Sequence, residues 1–280
     1  MAYKDLLLAL NSYPERTPAV AVDQAIALAR LLQARLTALT FQVEVPDVAG
    51  GLAASLLDLG SLAAAERAKS AQAARELSAS FAAAAEQAAL PFDTQVQACM
   101  SSQIDGVLLD HARLHSLTLV PLGHGDAFQQ YVAERVIFGA GRPTLLLPVH
   151  VSRALALDTV VVAWDFSAAA ARALGDAMPL LARAGTVRVL VVRNEKTLPA
   201  HRGGSDIARH LAHHGLNVVV DEVDAGGRPV GQVIEAHAGE QGANLLVMGA
   251  FGHSRLRDFV LGGATRHVLH SPALPTLLSH

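Results

Sequence analysis

The chain predicts an α/β protein made of two tandem five-stranded parallel-sheet domains. Apolar runs of strand length alternate with Ala-rich amphipathic stretches from end to end, the pattern of a parallel sheet covered on both faces. The runs are continuously apolar, as in Leu6–Leu10 and Val160–Ala163, which suits strands buried on both sides. The same order of elements also recurs at about half the chain length.

Taken in order, the first run, LLLALNSY at Leu6–Tyr13, matches VVVAWDFS at Val160–Ser167, and each ends in small polar residues. Amphipathic helices follow at Ala19–Gln33 and Ala168–Arg183, then second strands at Leu36–Val43 and Val187–Val192. Ala53–Ala89 reads as one extended helix with a break near Gly60–Ser61, packing on its own domain through an Ala-rich face. FDTQVQACM, Phe92–Met100, is a strand with Cys99 buried in it. SLTLVPLGHG at Ser116–Gly125 matches NLLVMGAFGHS at Asn244–Ser254, and RPTLLLPVH at Arg142–His150 matches LPTLLSH at Leu274–His280. Between the first pair a helix is expected over Ala127–Phe138. The domains are expected at 1–150 and 157–280, with the boundary in VSRALAL. Each half ends in an apolar strand, Thr144–Pro148 and Pro275–Ser279, whose exposed edge invites pairing. The two halves are expected to pack as a pseudo-two-fold pair, as a contact between domains and not within one core.

Composition narrows the classes. With 51% hydrophobic and 17% charged residues the 280-residue chain can bury a sizeable core. The net charge of -3, with its 22 basic residues scattered, argues against nucleic-acid partners. No stretch approaches 18 uninterrupted apolar residues and no signal peptide is visible, so a cytoplasmic protein without membrane partners is expected. Cys99 is the only cysteine, which excludes an intramolecular disulfide.

The chemistry concentrates in VMGAFGHSRLRDFVLGGATRHVL, Val247–Leu269. A strand runs into Gly249, Gly252 follows, and nine residues later Gly262 and Gly263 open a helix. Glycines admit positive φ and let a ligand approach main-chain N–H groups, and a helix start adds unpaired donors and a positive dipole end. A phosphate cradle is one reading; a ligand-free strand-to-helix turn is the other. No Gly-Lys-Ser/Thr is present, and the spacing is not that of the dinucleotide fingerprint.

This spacing resembles the Gly-x2-Gly-x9-Gly-Ser/Thr signature of the universal stress protein family, and with the repeat the resemblance extends over nearly the whole chain. It implies an adenine nucleotide alpha hydrolase-like fold with sheet order 3-2-1-4-5 in each half, and a ligand at the C-terminal edge of strands 1 and 4. It implies ATP, with or without Mg2+, held in the second half. Gly249 would belong to the nucleotide site, and phosphates would meet the N–H groups from Gly252 and His253 to Gly262 and Gly263 and onward to Ala264. Asp165 would take ribose or adenine hydrogen bonds, and the Val192 backbone would meet the adenine edge. Gly263 stands where the family's nucleotide binders carry Ser or Thr, a hydroxyl that Thr265 could replace. Phe166 replaces the glycine that usually follows Asp165. His253, Arg255, Arg257 and Arg266 are cations in or beside the loop.

The first half has Asn11 in place of that Asp and lacks the loop, so its nucleotide site is degenerate. In family members of one domain the last strand makes the dimer. Here the same contact would be intramolecular, and a homodimer of chains stays open.

The leading expectation is a stress-response module that binds ATP without efficient catalysis. The alternatives are an interaction protein with no nucleotide, favoured by Gly263 and Phe166, and a small-molecule enzyme on a related scaffold, disfavoured by the missing Ser-Gly-Gly loop. No catalytic residue and no metal site are expected. His111 and His115 have a turn between them and lack a third ligand, and His213–His214 close a helix. Ser167 reads as an N-cap before it reads as a nucleophile.

Overall fold

The structure is a computed structural model and describes residues 2–46, 59–151, 155–193, 204–250 and 262–280. In the first half the chain runs β1 (Asp5–Asn11), α1 (Ala19–Leu32), β2 (Arg35–Glu44), α2 (Leu59–Gln87), β3 (Phe92–Met100), α3 (Ile104–Leu114), β4 (Leu117–Leu122), α4 (Ala127–Gly139) and β5 (Thr144–Pro148). In the second it runs β6 (Thr159–Ala163), α5 (Ala168–Leu181), β7 (Thr186–Arg193), α6 (Gly204–His213), β8 (Val218–Asp224), α7 (Val230–Glu240), β9 (Leu245–Gly249), α8 (Gly263–His270) and β10 (Thr276–Ser279).

Local chemistry sets several of the helix ends. Pro18 precedes α1, where its missing N–H costs nothing. Gln33 ends that helix in the left-handed region at φ 53, with its N–H turned back to the Ala29 and Arg30 carbonyls. Asp126 accepts a hydrogen bond from the Gln129 N–H and caps α4, and Ser167 does the same for Ala170 at the start of α5.

All ten strands join one sheet in the order β3-β2-β1-β4-β5-β10-β9-β6-β7-β8. Each half therefore has the order 3-2-1-4-5, and pairing within each half is parallel. The join is β5 against β10, antiparallel, with Leu145 opposite Leu277 and Leu146 opposite Thr276. The repeat puts Leu145 and Leu277 at equivalent positions, so the pseudo-two-fold axis passes between them. This is the isologous geometry of a symmetric dimer, made within one chain. Tyr3 donates a hydrogen bond to the Asp176 carbonyl across the join, and burial together with that Asp176 carboxylate pushes its phenol up.

The apolar cores do not stop at the join. On one face, buried Leu6, Leu119 and Leu145 of the first half form one cluster with Leu277, Val160 and Leu180 of the second. On the other, Val120, Ile137 and Leu146 cluster with Leu246, Leu269 and Leu278. The expectation of a contact between two separately completed cores is corrected: β5 and β10 are both fully buried strands, so the apolar layers run through.

Two further expectations change. The described part of the long helix starts at Leu59 and is unbroken at Gly60–Ser61; residues 53–58 lie outside the described residues. It packs on its own half as expected, with buried Ala74, Leu77 and Phe81 and an edge-on contact of Phe81 with Phe92. β3 is a strand with Cys99 buried, as expected, and as the sheet edge it leaves Asp93–Ala98 exposed. Burial, with Glu44 nearby, pushes the Cys99 thiol up. Finally, no turn separates His111 from His115. His111 lies in the last turn of α3 and His115 caps it, with its Nδ1 2.7 Å from the His111 carbonyl oxygen.

Candidate functional site

An open parallel sheet leaves a crevice where the strand order reverses, at the C-terminal ends of the two strands that diverge. In the second half those strands are β6 and β9. The register pairs Val162 with Val247 and Ala163 with Leu190, so Asp165, Val192 and Gly249 come from the ends of three neighbouring strands. The fold therefore brings these three expected residues to one edge.

Asp165 Oδ1 accepts a hydrogen bond of 3.0 Å from the Ser167 N–H, and Ser167 Oγ accepts one of 3.0 Å from the Ala170 N–H. The carboxylate and the N-cap thus lock the turn from β6 into α5, and Ser167 is an N-cap as expected. Phe166 sits in this turn at φ 62, a conformation that glycine adopts freely and a bulky side chain resists. The turn keeps its backbone shape although the residue has changed. The Phe166 ring stands edge-on to Trp164 with centroids 5.6 Å apart. The Trp164 Nε1 is buried and donates to none of the described residues.

Gly249 is needed for packing as well as for approach. A Cβ there would lie 2.5 Å from the Ala169 carbonyl carbon and from Ala170 N, inside the first turn of α5. Gly252 and His253, with Arg255 and Arg257, lie outside the described residues. On the far side of the loop Gly262 is the N-cap of α8 with no side-chain cap, and a Cβ on Gly263 would meet nothing within 4 Å. The first turn of α8 therefore presents main-chain donors beside glycines. Ala264 is half-buried there and Thr265 is buried at 2% exposure. In the first half, burial pushes the Glu134 carboxyl up, and the charge of Arg266 opposes it.

The first half has the same crevice, narrowed to a small cleft. Asn11, Phe41 and Pro121 occupy the positions equivalent to Asp165, Val192 and Gly249, and they line a cleft of about 30 Å³. Its other walls include Ile104, Leu108, Phe128 and Val132. Gln129 Oε1 accepts a hydrogen bond from the Gly123 N–H at 3.1 Å, so α4 starts almost directly after β4 and lies over the opening. Such a cleft has room for about one water molecule. The sequence showed that the loop was missing; it did not show that apolar side chains line the place.

A network not anticipated from sequence spans the second half. Arg188 on β7 donates to both oxygens of Asp221 on β8, at 2.8 and 2.9 Å, and His237 Nε2 on α7 lies 3.0 Å from Asp221 Oδ2. His237 is buried, and the three tie α7 to the sheet. Strand alternation hinted at Arg188 and Asp221 sharing a face, but only the tertiary fold adds the histidine. No group of three or more potential metal ligands occurs among the described residues.

Residues 156–280 match the universal stress protein family. This half of the chain is a universal stress protein domain. The first half repeats its fold, and solved structures resemble the two together. A universal stress protein from Archaeoglobus fulgidus matches over 98% of this chain and 97% of its own, with TM-score 0.72 and 16% identity. A Pseudomonas aeruginosa protein assigned to the universal stress proteins matches over 99% of this chain and 93% of its own, with TM-score 0.60 and 14% identity. At these identities the likeness is one of fold. No curated protein matches the chain. Among the described residues no helix is long and apolar enough to cross a membrane, in keeping with the universal stress protein fold.

Proposed function

We propose that the chain is a cytoplasmic stress-response module that binds one adenine nucleotide, ATP, in its second half and does not turn it over efficiently. The observation that carries this reading is the asymmetry of the two switch points. The second keeps an acidic residue at the end of β6 and an uncapped, glycine-flanked helix start; the first is a small cleft with Phe128 and Val132 in its wall. In this reading Asp165 would take ribose or adenine hydroxyl and amine donors, the Val192 backbone would meet the adenine edge, and the α8 start would meet phosphate oxygens. Gly249, Gly252, His253, Gly262, Gly263, Ala264 and Thr265 belong to that phosphate end. The buried Trp164 N–H is one more donor at the adenosine side. Mg2+ would accompany the phosphates and offset their charge. No Walker lysine is present in the sequence, which supports binding over fast hydrolysis.

Calorimetric titration with ATP tests this. One site per chain is expected, and Gly252→Val, which puts a branched side chain into the phosphate approach, lowers affinity at least about 100-fold. Two sites, or unchanged binding by Gly252→Val, would overturn the reading. Steady-state hydrolysis on the order of 1 s⁻¹ would overturn its non-catalytic part.

A further inference from the structure

The sheet ends in two edges, β3 in the first half and β8 in the second. β3 is the longer, and Asp93–Ala98 are exposed along it. Val96 is 45% exposed and Met100 41%. β3 pairs with β2 in parallel, and the Pro91 carbonyl accepts from the Leu36 N–H. In a parallel strand alternate residues turn both main-chain groups to the same side, so Asp93, Gln95, Gln97 and Cys99 bond to β2. The N–H and C=O groups of Thr94, Val96 and Ala98 therefore point outward, a row of open donors and acceptors.

The two edges differ in charge. β8 ends in Asp221, Glu222 and Asp224, so a second strand of the same sequence would crowd acidic side chains along it. β3 has a single charged residue, Asp93, which pairs with Arg35 on β2. It also carries neither the lysine nor the proline that blocks edge pairing. Turned antiparallel on itself about Val96, β3 is self-complementary. Val96 then faces Val96, Thr94 faces Ala98, Gln95 faces Gln97 and Asp93 faces Cys99, so no like charges meet. In this register Thr94, Val96 and Ala98 take the hydrogen-bonded positions, which recur at every second residue of an antiparallel pair. They are the residues whose backbone groups point outward. A register centred on Gln95 or Gln97 would need groups already bonded to β2.

We propose that this edge is a self-association surface, on which a second copy of the chain docks β3 antiparallel to β3 about a two-fold axis at Val96. Such pairing is isologous and closes as a dimer. It repeats between chains what β5 and β10 do within one, an antiparallel join of two sheet edges. A strand edge is a small interface, so a dimer that forms in the micromolar range is expected. The surface lies at the far edge of the first half and does not depend on nucleotide binding.

Sedimentation equilibrium of the full chain tests this, and a monomer–dimer equilibrium is expected. Val96→Lys and Val96→Glu each set like charges against one another at the axis and should weaken the dimer at least about tenfold. Val96 is exposed, so both variants should keep the parent's circular dichroism. An equimolar mixture of the two should dimerise again, because Lys then faces Glu, a rescue that requires residue 96 to oppose itself. Val96→Pro is a further variant: its N–H points out of the sheet, so proline is tolerated in the monomer and removes a donor that the pairing uses. The proposal is overturned if the parent stays monomeric up to millimolar concentration, if any single variant dimerises like the parent, or if the mixture of charged variants stays monomeric.

Discussion

Asn11, Phe41 and Pro121 stand in the first half where Asp165, Val192 and Gly249 stand in the second, on strands with the same order and the same parallel pairing. The surroundings differ. In the first half Asn11 binds its own loop, with its N–H on Thr17 Oγ1 and its Nδ2 on the Glu15 carbonyl, and α4 starts within a few residues of β4. In the second half thirteen residues separate β9 from α8, and the helix starts without a side-chain cap. The sheet needs its apolar runs and its register but does not need an open crevice. One copy of the fold can therefore narrow its crevice by shortening one connection, with Phe128 in the cleft wall.

The harshest way to break the comparison is to separate the halves. A chain of residues 157–280 alone would expose the fully buried β10, and it is expected to self-associate through that strand into a homodimer, read by sedimentation. A C-terminal half that stays monomeric at high concentration, and does not combine with the first half, would show that the β5–β10 pairing contributes little.

Next in size is Gly249→Val. Its Cβ would meet α5 backbone at 2.5 Å, so α5 or β9 must shift, and a loss of about 3 kcal/mol in urea unfolding is expected. The equivalent Pro121→Gly removes contacts from a cleft wall only and should cost about 1 kcal/mol. If the two costs are equal, the strand ends of the two halves are not packed differently.

Asp221→Ala follows. It leaves Arg188 and His237 without their shared carboxylate, and since the pair is partly exposed the expected loss is about 2 kcal/mol. Asp221→Asn should recover part of it, because the amide oxygen can still accept one bond.

How far the fold could be read ahead of the structure differs from one element to the next. The runs at Leu6–Leu10 and Val160–Ala163 announce central strands because both their faces are buried, and the repeat then dictates the order of the rest. Edge position shows in β3, whose polar Asp93–Gln97 departs from the continuous apolar runs of the inner strands and lies at the sheet edge. At the site, Asp165 and the glycines stand out because their chemistry is local. The apolar cleft wall in the first half was hidden because Phe128 and Ile104 come from separate helices that only the tertiary fold brings together. The same holds for the Arg188–Asp221–His237 network.

The smallest expected effect is that of Phe166→Gly. Glycine relieves about 1 kcal/mol of left-handed backbone cost and gives up an edge-on ring contact of about 1 kcal/mol with Trp164. The two nearly cancel, so stability should move by less than about 1 kcal/mol while Trp164 fluorescence changes. A loss well above that would mean the ring anchors the turn and the left-handed conformation costs little.

The antiparallel seam between β5 and β10 makes the two halves head in opposite directions. Their strands end on opposite rims of the sheet, so whatever reads the second switch point cannot reach the first at the same time. A pair of separate chains joined this way would come apart on dilution, because its assembly depends on concentration. Here the tether keeps the local concentration of one half around the other high at any abundance of the protein. The first half therefore remains as a permanent structural partner for the second.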